Sequence, residues 1–243
     1  MERATVGDWL GGEDMQPKLV KPLAAEFLGT LLFSLFGCAC YITNYESLTV
    51  GLTFGTVAMA VIVVVGHISG AHINPAVTCA MIATRFMSFA KGILYIVMQL
   101  LGAVTGTAIL MGLKPDIMGR TLGSNHLSGR VSDIQGFGFE FFLGMILLLV
   151  VFAVTDQGRE KTQFLSALAI GLTYTLGHLA TYNFTSTGMN PARSFASSVL
   201  SDSWDGHWVF WAGPILGGLV GAFMYTFIFA ADANSLSEEP RGV

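Results

Sequence analysis

The chain has 243 residues, of which 53% are hydrophobic and only 12% charged, with a mean hydropathy of +0.63 and a formal net charge of −4. Soluble domains carry about a quarter charged residues, so this composition expects lipid as its solvent. The small net charge and the lack of any basic run exclude nucleic acid and acidic substrates as partners.

Residues 1–20 read as a cytoplasmic segment carrying Glu2, Asp8, Glu13 and Asp14 and no apolar run. A cleavable signal peptide is therefore not expected, and the first span must direct insertion. A bilayer core of about 30 Å needs about 20 apolar residues per helix, and six runs qualify. They fall at 22–43, 48–70, 92–113, 136–154, 164–182 and 208–231, and within them the only carboxylates are Glu26 and Glu140. The expected fold class is an all-α membrane protein with both termini on one side. Arg3, Lys18, Lys21, Arg85, Lys91, Arg159, Lys161 and Arg241 share that side, against Lys114, Arg120 and Arg130 opposite, with Arg193 set apart. The bias makes the termini cytoplasmic. Cys38, Cys40 and Cys79 lie in or beside apolar runs and read as reduced packing residues, since two positions i,i+2 on a helix do not face each other.

Two segments do not fit the six-span count. Residues 74–84 and 190–200 each read as a helix of about 10 residues, about 15 Å long and half the hydrocarbon thickness. One follows the second span and the other the fifth, so they enter from opposite faces and meet near the midplane. Backbone at that depth is tolerated only inside protein or beside a water-filled cavity, which implies a pore or binding site.

The halves repeat. Glu26-Phe27-Leu28-Gly29 recurs as Glu140-Phe141-Phe142-Leu143-Gly144, Gly51-Leu52-Thr53 as Gly171-Leu172-Thr173, and Asn74-Pro75-Ala76 as Asn190-Pro191-Ala192. Three spans per half make the second copy inverted, with a shared site at the midplane. The organisation is a first repeat at 21–112, an extracellular linker at 113–135 packing over the bundle or pore mouth, a second repeat at 136–231, and a cytoplasmic tail at 232–243.

Asparagine is a preferred N-cap and proline a preferred first helical residue, so Asn-Pro-Ala is first of all a helix start. The capping oxygen would accept a backbone N–H and leave the amide NH₂ of Asn74 and of Asn190 free to face the lumen. Two such starts place two donors and two positive helix ends at one point. Water there would be oriented with its protons turned outward, breaking proton relay, while the positive ends oppose cations.

Ser69-Gly70-Ala71-His72-Ile73-Asn74-Pro75-Ala76-Val77-Thr78 and Gly188-Met189-Asn190-Pro191-Ala192-Arg193-Ser194 resemble the two signature loops of the aquaporin (major intrinsic protein) family. The resemblance covers roughly 20–231 and implies six spans plus two re-entrant half-helices. It also implies a homotetramer with one pore per subunit and passive permeation down an osmotic gradient. Matching by motif distance carries the family's narrowest site onto Phe54, His178, Thr187 and Arg193, with an apolar wall from Phe54 and donors from His178 and Arg193. Glu26 and Glu140 are implied to hold the loop backbones.

His178, and Ser194 directly after Arg193, match the water-selective subgroup rather than the glycerol-conducting one, as does Phe210-Trp211. Thr187 departs from the cysteine common among animal members, and Ser198 from the usual alanine. Gly66-x-x-x-Gly70 and Gly213-x-x-x-Gly217-x-x-x-Gly221 read as close helix contacts. His67 and His72 read as packing residues, His126 and His207 as solvent-facing, Asn183-Phe184-Thr185 as an unused glycosylation sequon, and Ser235 to Glu239 as a solvating or phosphorylatable tail. No catalytic triad, metal cluster or phosphate loop is present in the pattern, so neither an enzyme nor a cofactor is expected.

The leading function is a plasma-membrane water channel. The alternatives are a broader pore passing glycerol, urea or peroxide, and a poorly conducting membrane-junction protein. Thr187 in place of cysteine makes mercurial block at this site weak in an osmotic swelling assay; strong block abolished by changing Thr187 would contradict that.

Overall fold

The computed structural model describes residues 19–43, 46–113, 122–156, 158 and 163–231. Arg3, Lys18, Lys114, Arg120, Arg159, Lys161, Arg241, the acidic N-terminal residues and the Ser235 to Glu239 tail lie outside the described residues. Of the charges that orient the chain, Lys21, Arg85 and Lys91 stand on the side where the first helix begins, and Arg130 on the other.

Six long helices and two short ones make up the described residues, with no strand among them. They are α1 (Val20–Thr43), α2 (Ser47–Ser69), α3 (Pro75–Ala83), α4 (Phe89–Leu113), α5 (Asp133–Thr155), α6 (Gln163–Thr185), α7 (Pro191–Ser201) and α8 (Val209–Met224). A π-helical turn, Tyr225–Phe229, continues α8. The short α3 and α7 have 9 and 11 residues, about half of what a bilayer crossing requires. We call the face where α1 begins and α8 ends the termini side, and the other the linker side.

Five of the long helices are apolar enough to cross a membrane by length and composition. The sixth, α6, is as long but buries Thr173, Tyr174, Thr175, His178 and Thr181. The threonines are satisfied inside the bundle: Thr173 and Thr181 donate to the carbonyls of Ala169 and Gly177, and Thr175 reaches across to that of Gly51 at 3.0 Å. The bilayer tolerates such groups when they face protein, which makes α6 a spanning helix despite its composition. The opposite polarity marks the outside, where Val64, Leu101, Phe142, Leu172 and Ile228 are exposed.

Close backbone approach organises the bundle. A Cβ on Gly102 or Gly106 of α4 would lie 2.3 and 2.2 Å from the carbonyl oxygens of Phe27 and Leu31 on α1. At the equivalent places of the second half, a Cβ on Gly217 or Gly221 of α8 would lie 1.8 and 2.4 Å from those of Phe141 and Met145 on α5. These are the contacts that small residues permit between membrane helices. Gly70 does something different from the reading of Gly66-x-x-x-Gly70 as a contact: with φ of 88° it caps α2, its N–H donating to the Gly66 carbonyl.

Each half-helix is seated by the other half of the chain. α3 packs chiefly on α8, and α7 chiefly on α4. At the far end of α7, Trp211 Nε1 donates to His207 Nε2 at 3.0 Å, so the His207 hydrogen sits on Nδ1 and donates to Ser198 Oγ at 3.1 Å. The serine departure is thus part of a clamp, and His207 is engaged rather than simply solvated. Partial burial lowers the His207 pKa below its ordinary value, which favours the neutral form that the clamp uses.

Replacing Gly217 by alanine forces α5 and α8 apart and costs about 1–3 kcal/mol. Gly138 on α5 has open space around its Cβ position, so G138A leaves stability level or raises it by up to about 1 kcal/mol. Thermal unfolding in detergent compares the two; equal melting temperatures would contradict the close-approach account.

Candidate pore at the meeting of the half-helices

Both loops that lead into the half-helices hold ordinary residues in left-handed backbone. Ala71 and Ile73 have φ of 49° and 46°, and Thr187 and Met189 have φ of 53° and 55°. Such geometry costs roughly 1–3 kcal/mol per residue and needs external support. The support is a buried carboxylate in each half. Glu26 accepts from the N–H groups of His72 and Ile73 at 3.0 and 2.7 Å, from Ser69 Oγ at 2.6 Å and from Gln99 Nε2 at 2.8 Å. Glu140 accepts from the N–H groups of Gly188 and Met189, both at 2.8 Å, and from Thr185 Oγ1 at 2.6 Å. Both carboxylates are fully buried.

The loops deliver two helix starts. Asn74 Oδ1 accepts from Ala76 N at 2.9 Å, and Asn190 Oδ1 from Ala192 N at 3.0 Å, with Pro75 and Pro191 as the first helical residues. The asparagines then clasp each other's loops. Asn74 Nδ2 donates to the Met189 carbonyl at 2.9 Å, and Asn190 Nδ2 to the Ile73 carbonyl at 2.8 Å. The positive ends of α3 and α7 therefore converge on one point, with Pro75, Ala76, Pro191 and Ala192 buried around it.

Toward the linker side, three side chains come together. The Phe54 ring stacks on His178 with centroids 4.7 Å apart, and the Arg193 guanidinium carbon lies 5.1 Å from the Phe54 centroid. Gly37 makes room for Phe54, since a Cβ there would stand 2.4 Å from the ring. Arg193 is clamped through Nη1 to Asn125 Oδ1 and through Nη2 to Tyr41 OH at 3.1 Å. Its Nε and the Nε2 of His178 have no protein partner among the described residues. Thr187 turns its hydroxyl to Thr181 Oγ1 at 2.9 Å, so it joins the site through its backbone position. Toward the termini side lies a cavity of about 370 Å³, mostly apolar, lined by Ile62, Val77, Met81, Leu147, Val151 and Tyr174 among others.

The profile of the family described as Major intrinsic protein matches residues 13–225. The chain belongs to that family. It is 38% identical to Aquaporin-1 of Homo sapiens over 236 residues, covering 91% of this chain and 86% of that one. It is 44% identical to Aquaporin FA-CHIP of Pelophylax lessonae over 195 residues, covering 80% and 70%. It is 40% identical to the lens fiber major intrinsic protein of Mus musculus over 222 residues, covering 90% and 84%. The X-ray structure of the aquaglyceroporin from Plasmodium falciparum superposes with a TM-score of 0.81 at 24% identity, covering 86% of this chain and 96% of that one, which is a likeness of fold. The protein is thus a membrane channel of the aquaporin family.

Within this aquaporin-family site the structure changes three expectations. The Asn74 amide is not free: its second hydrogen goes to Tyr174 OH at 3.0 Å. Only Asn190 keeps an amide hydrogen without a protein acceptor among the described residues. His178 does not supply a donor either. Its Nδ1 bonds the Tyr174 carbonyl at 2.9 Å, and a carbonyl can only accept, so the neutral ring is left with Nε2 as a buried acceptor that has no partner among the described residues. His67 is exposed and lines the cavity on the termini side instead of packing, whereas His72 is buried and bonded to Thr78 Oγ1.

Asn125, Tyr41, Gln99 and Tyr174 were not marked by the motifs. Asn125 had one readable sign, its place in the linker expected to pack over the pore mouth. It also accepts from Ser194 Oγ at 2.8 Å and donates to the Ser186 carbonyl at 3.1 Å, tying the linker to the second loop. Asn183 stands exposed in the last turn of α6. Cys38 and Cys40 are buried and not joined in a disulfide, and the Cys40 thiol donates to the Gly37 carbonyl at 3.0 Å.

Glutamine at position 140 would offer one acceptor oxygen and an NH₂ to three donors, leaving at least one buried donor unpaired. E140Q therefore costs about 1–3 kcal/mol. E26Q, facing four donors, loses at least as much. Unfolding midpoints in detergent measure both, and wild-type values would refute the support role.

Proposed function

We propose that this channel is a passive, water-selective pore that excludes protons, ions and glycerol. The observation that carries the reading is the constriction in which Phe54 stacks on His178 and faces a doubly anchored Arg193. A fixed guanidinium repels cations, and its Nε and the Nε2 of His178 are a buried donor and a buried acceptor that no protein group among the described residues satisfies, a pair suited to water in single file. A file of water can use a donor and an acceptor in turn, whereas a bulkier polyol must fit past an aromatic wall. Thr187 contributes its backbone at the rim of this filter.

The asparagine clasp adds proton exclusion at the midplane. Water there meets the converging positive ends of α3 and α7, which disfavour a proton at that point. Glu26 and Glu140 act on conduction indirectly, by holding the loops that carry the caps. We place both termini in the cytoplasm and the chain in the plasma membrane as a homotetramer with one pore per subunit, on the charge bias and the family resemblance.

Stopped-flow light scattering on proteoliposomes tests the reading. Osmotic water flux well above that of empty vesicles, with glycerol flux at the empty-vesicle level, is expected. R193V opens the constriction and removes its charge, admitting small neutral solutes that the wild type excludes. Glycerol flux through the wild type comparable to its water flux would favour a broader pore. Water flux equal to empty vesicles from folded protein would favour the junction reading.

A further inference from the structure

Tyr174 stands four residues before His178 on α6. That spacing puts the two side chains on one helix face, about 6 Å apart along the axis. The face that offers His178 to the constriction therefore offers Tyr174 to the path on its termini side. The surroundings agree: Tyr174 is 3% exposed, borders the 370 Å³ cavity, and sends its hydroxyl to the Asn74 amide at the meeting point of the half-helices.

Two further contacts make this a built feature. Gly51-Leu52-Thr53-Phe54 corresponds in the repeat to Gly171-Leu172-Thr173-Tyr174, so Tyr174 is the counterpart of Phe54 in the inverted half. One buried ring braces both: Phe33 lies 5.4 Å from Phe54 and 5.3 Å from Tyr174, centroid to centroid. The Asn74 amide is fully spoken for, one hydrogen on the Met189 carbonyl and one on Tyr174, whereas Asn190 gives a single bond.

We propose that Tyr174 is a second constriction, on the termini side of the midplane, which sets the rate of water passage. Its hydroxyl occupies the Asn74 donor, and each water moving along the file must take that donor from it. The outer filter at Phe54, His178 and Arg193 decides what enters; Tyr174 decides how fast it passes. This inference rests on the water-channel reading above.

The test is the unit water permeability of Y174F and Y174V in proteoliposomes, normalised to reconstituted protein, with glycerol flux measured in parallel. Y174F keeps the ring on Phe33 and releases the Asn74 donor; Y174V also removes the bulk and covers the case in which either variant reconstitutes poorly. Both are expected to conduct water at least about threefold faster than wild type, within the range that one ordinary buried hydrogen bond commands. Glycerol should stay excluded. A conducting wild type with variants no faster would overturn this inference and leave the water-channel reading intact. A parallel rise in water and glycerol would mark a loosened bundle and overturn it as well. Wild type and variants all equal to empty vesicles would remove both readings.

Discussion

Backbone N–H groups held in a left-handed turn inside a bilayer have no water to donate to, and the structure depends on how they are satisfied. Glu26 and Glu140 take them in pairs, one carboxylate per half, from helices α1 and α5. The placement of each carboxylate follows from glycine contacts around it. Gly102 and Gly106 bring α4 onto the carbonyls of Phe27 and Leu31, which follow Glu26 on α1, and Gly213 lets α8 lie against the Glu140 stem, where a Cβ would be 2.5 Å from Glu140 Cβ. Small residues allow close helices, close helices fix the carboxylates, and the carboxylates fix loops that otherwise relax. The asparagine caps and the Arg193 that follows Asn190 are then set without freedom of their own.

The near-symmetry of this support makes the asymmetries informative. Ser69 and Thr185 play the same part in the two halves, each bonding its carboxylate and accepting from a loop N–H two residues on. Gln99 joins only the first network, where it also donates to Thr78. The counterpart of Gln99 in the second half is Pro214, three residues before Gly217 as Gln99 is before Gly102, and it has no donor to offer Glu140. Arg193 belongs only to the second half, and it lies at the linker-side constriction with its guanidinium tied to Asn125 and Tyr41. A cation on one side of a near-symmetric meeting point makes the two sides of that point electrostatically unlike.

Much of this was legible because it rests on local chemistry. Asn followed by Pro announces a helix start whatever surrounds it, and a 9-residue helix with polar caps cannot cross a membrane. The span of α6 was legible as an apolar run even though its buried threonines, Tyr174 and His178 dilute it. What could not be read were pairings decided across the bundle. Nothing local says that the Asn74 amide meets a tyrosine 100 positions away, or that the carbonyl of that tyrosine fixes the tautomer of His178. Gly66-x-x-x-Gly70 illustrates the converse: a spacing that suits helix contact was used to stop a helix, because the chain had to turn back there.

The half-helices are seated crosswise, and that has a consequence for the order of assembly. α3 rests chiefly on α8, the last of the helices in the described residues, while α7 rests chiefly on α4. A segment of nine residues, too short to cross a bilayer by itself, thus waits through the synthesis of four further helices before its main partner exists. The two half-helices can settle against each other only after α8 has been made, so a nascent chain that has not reached α8 leaves the first of them without its main seat.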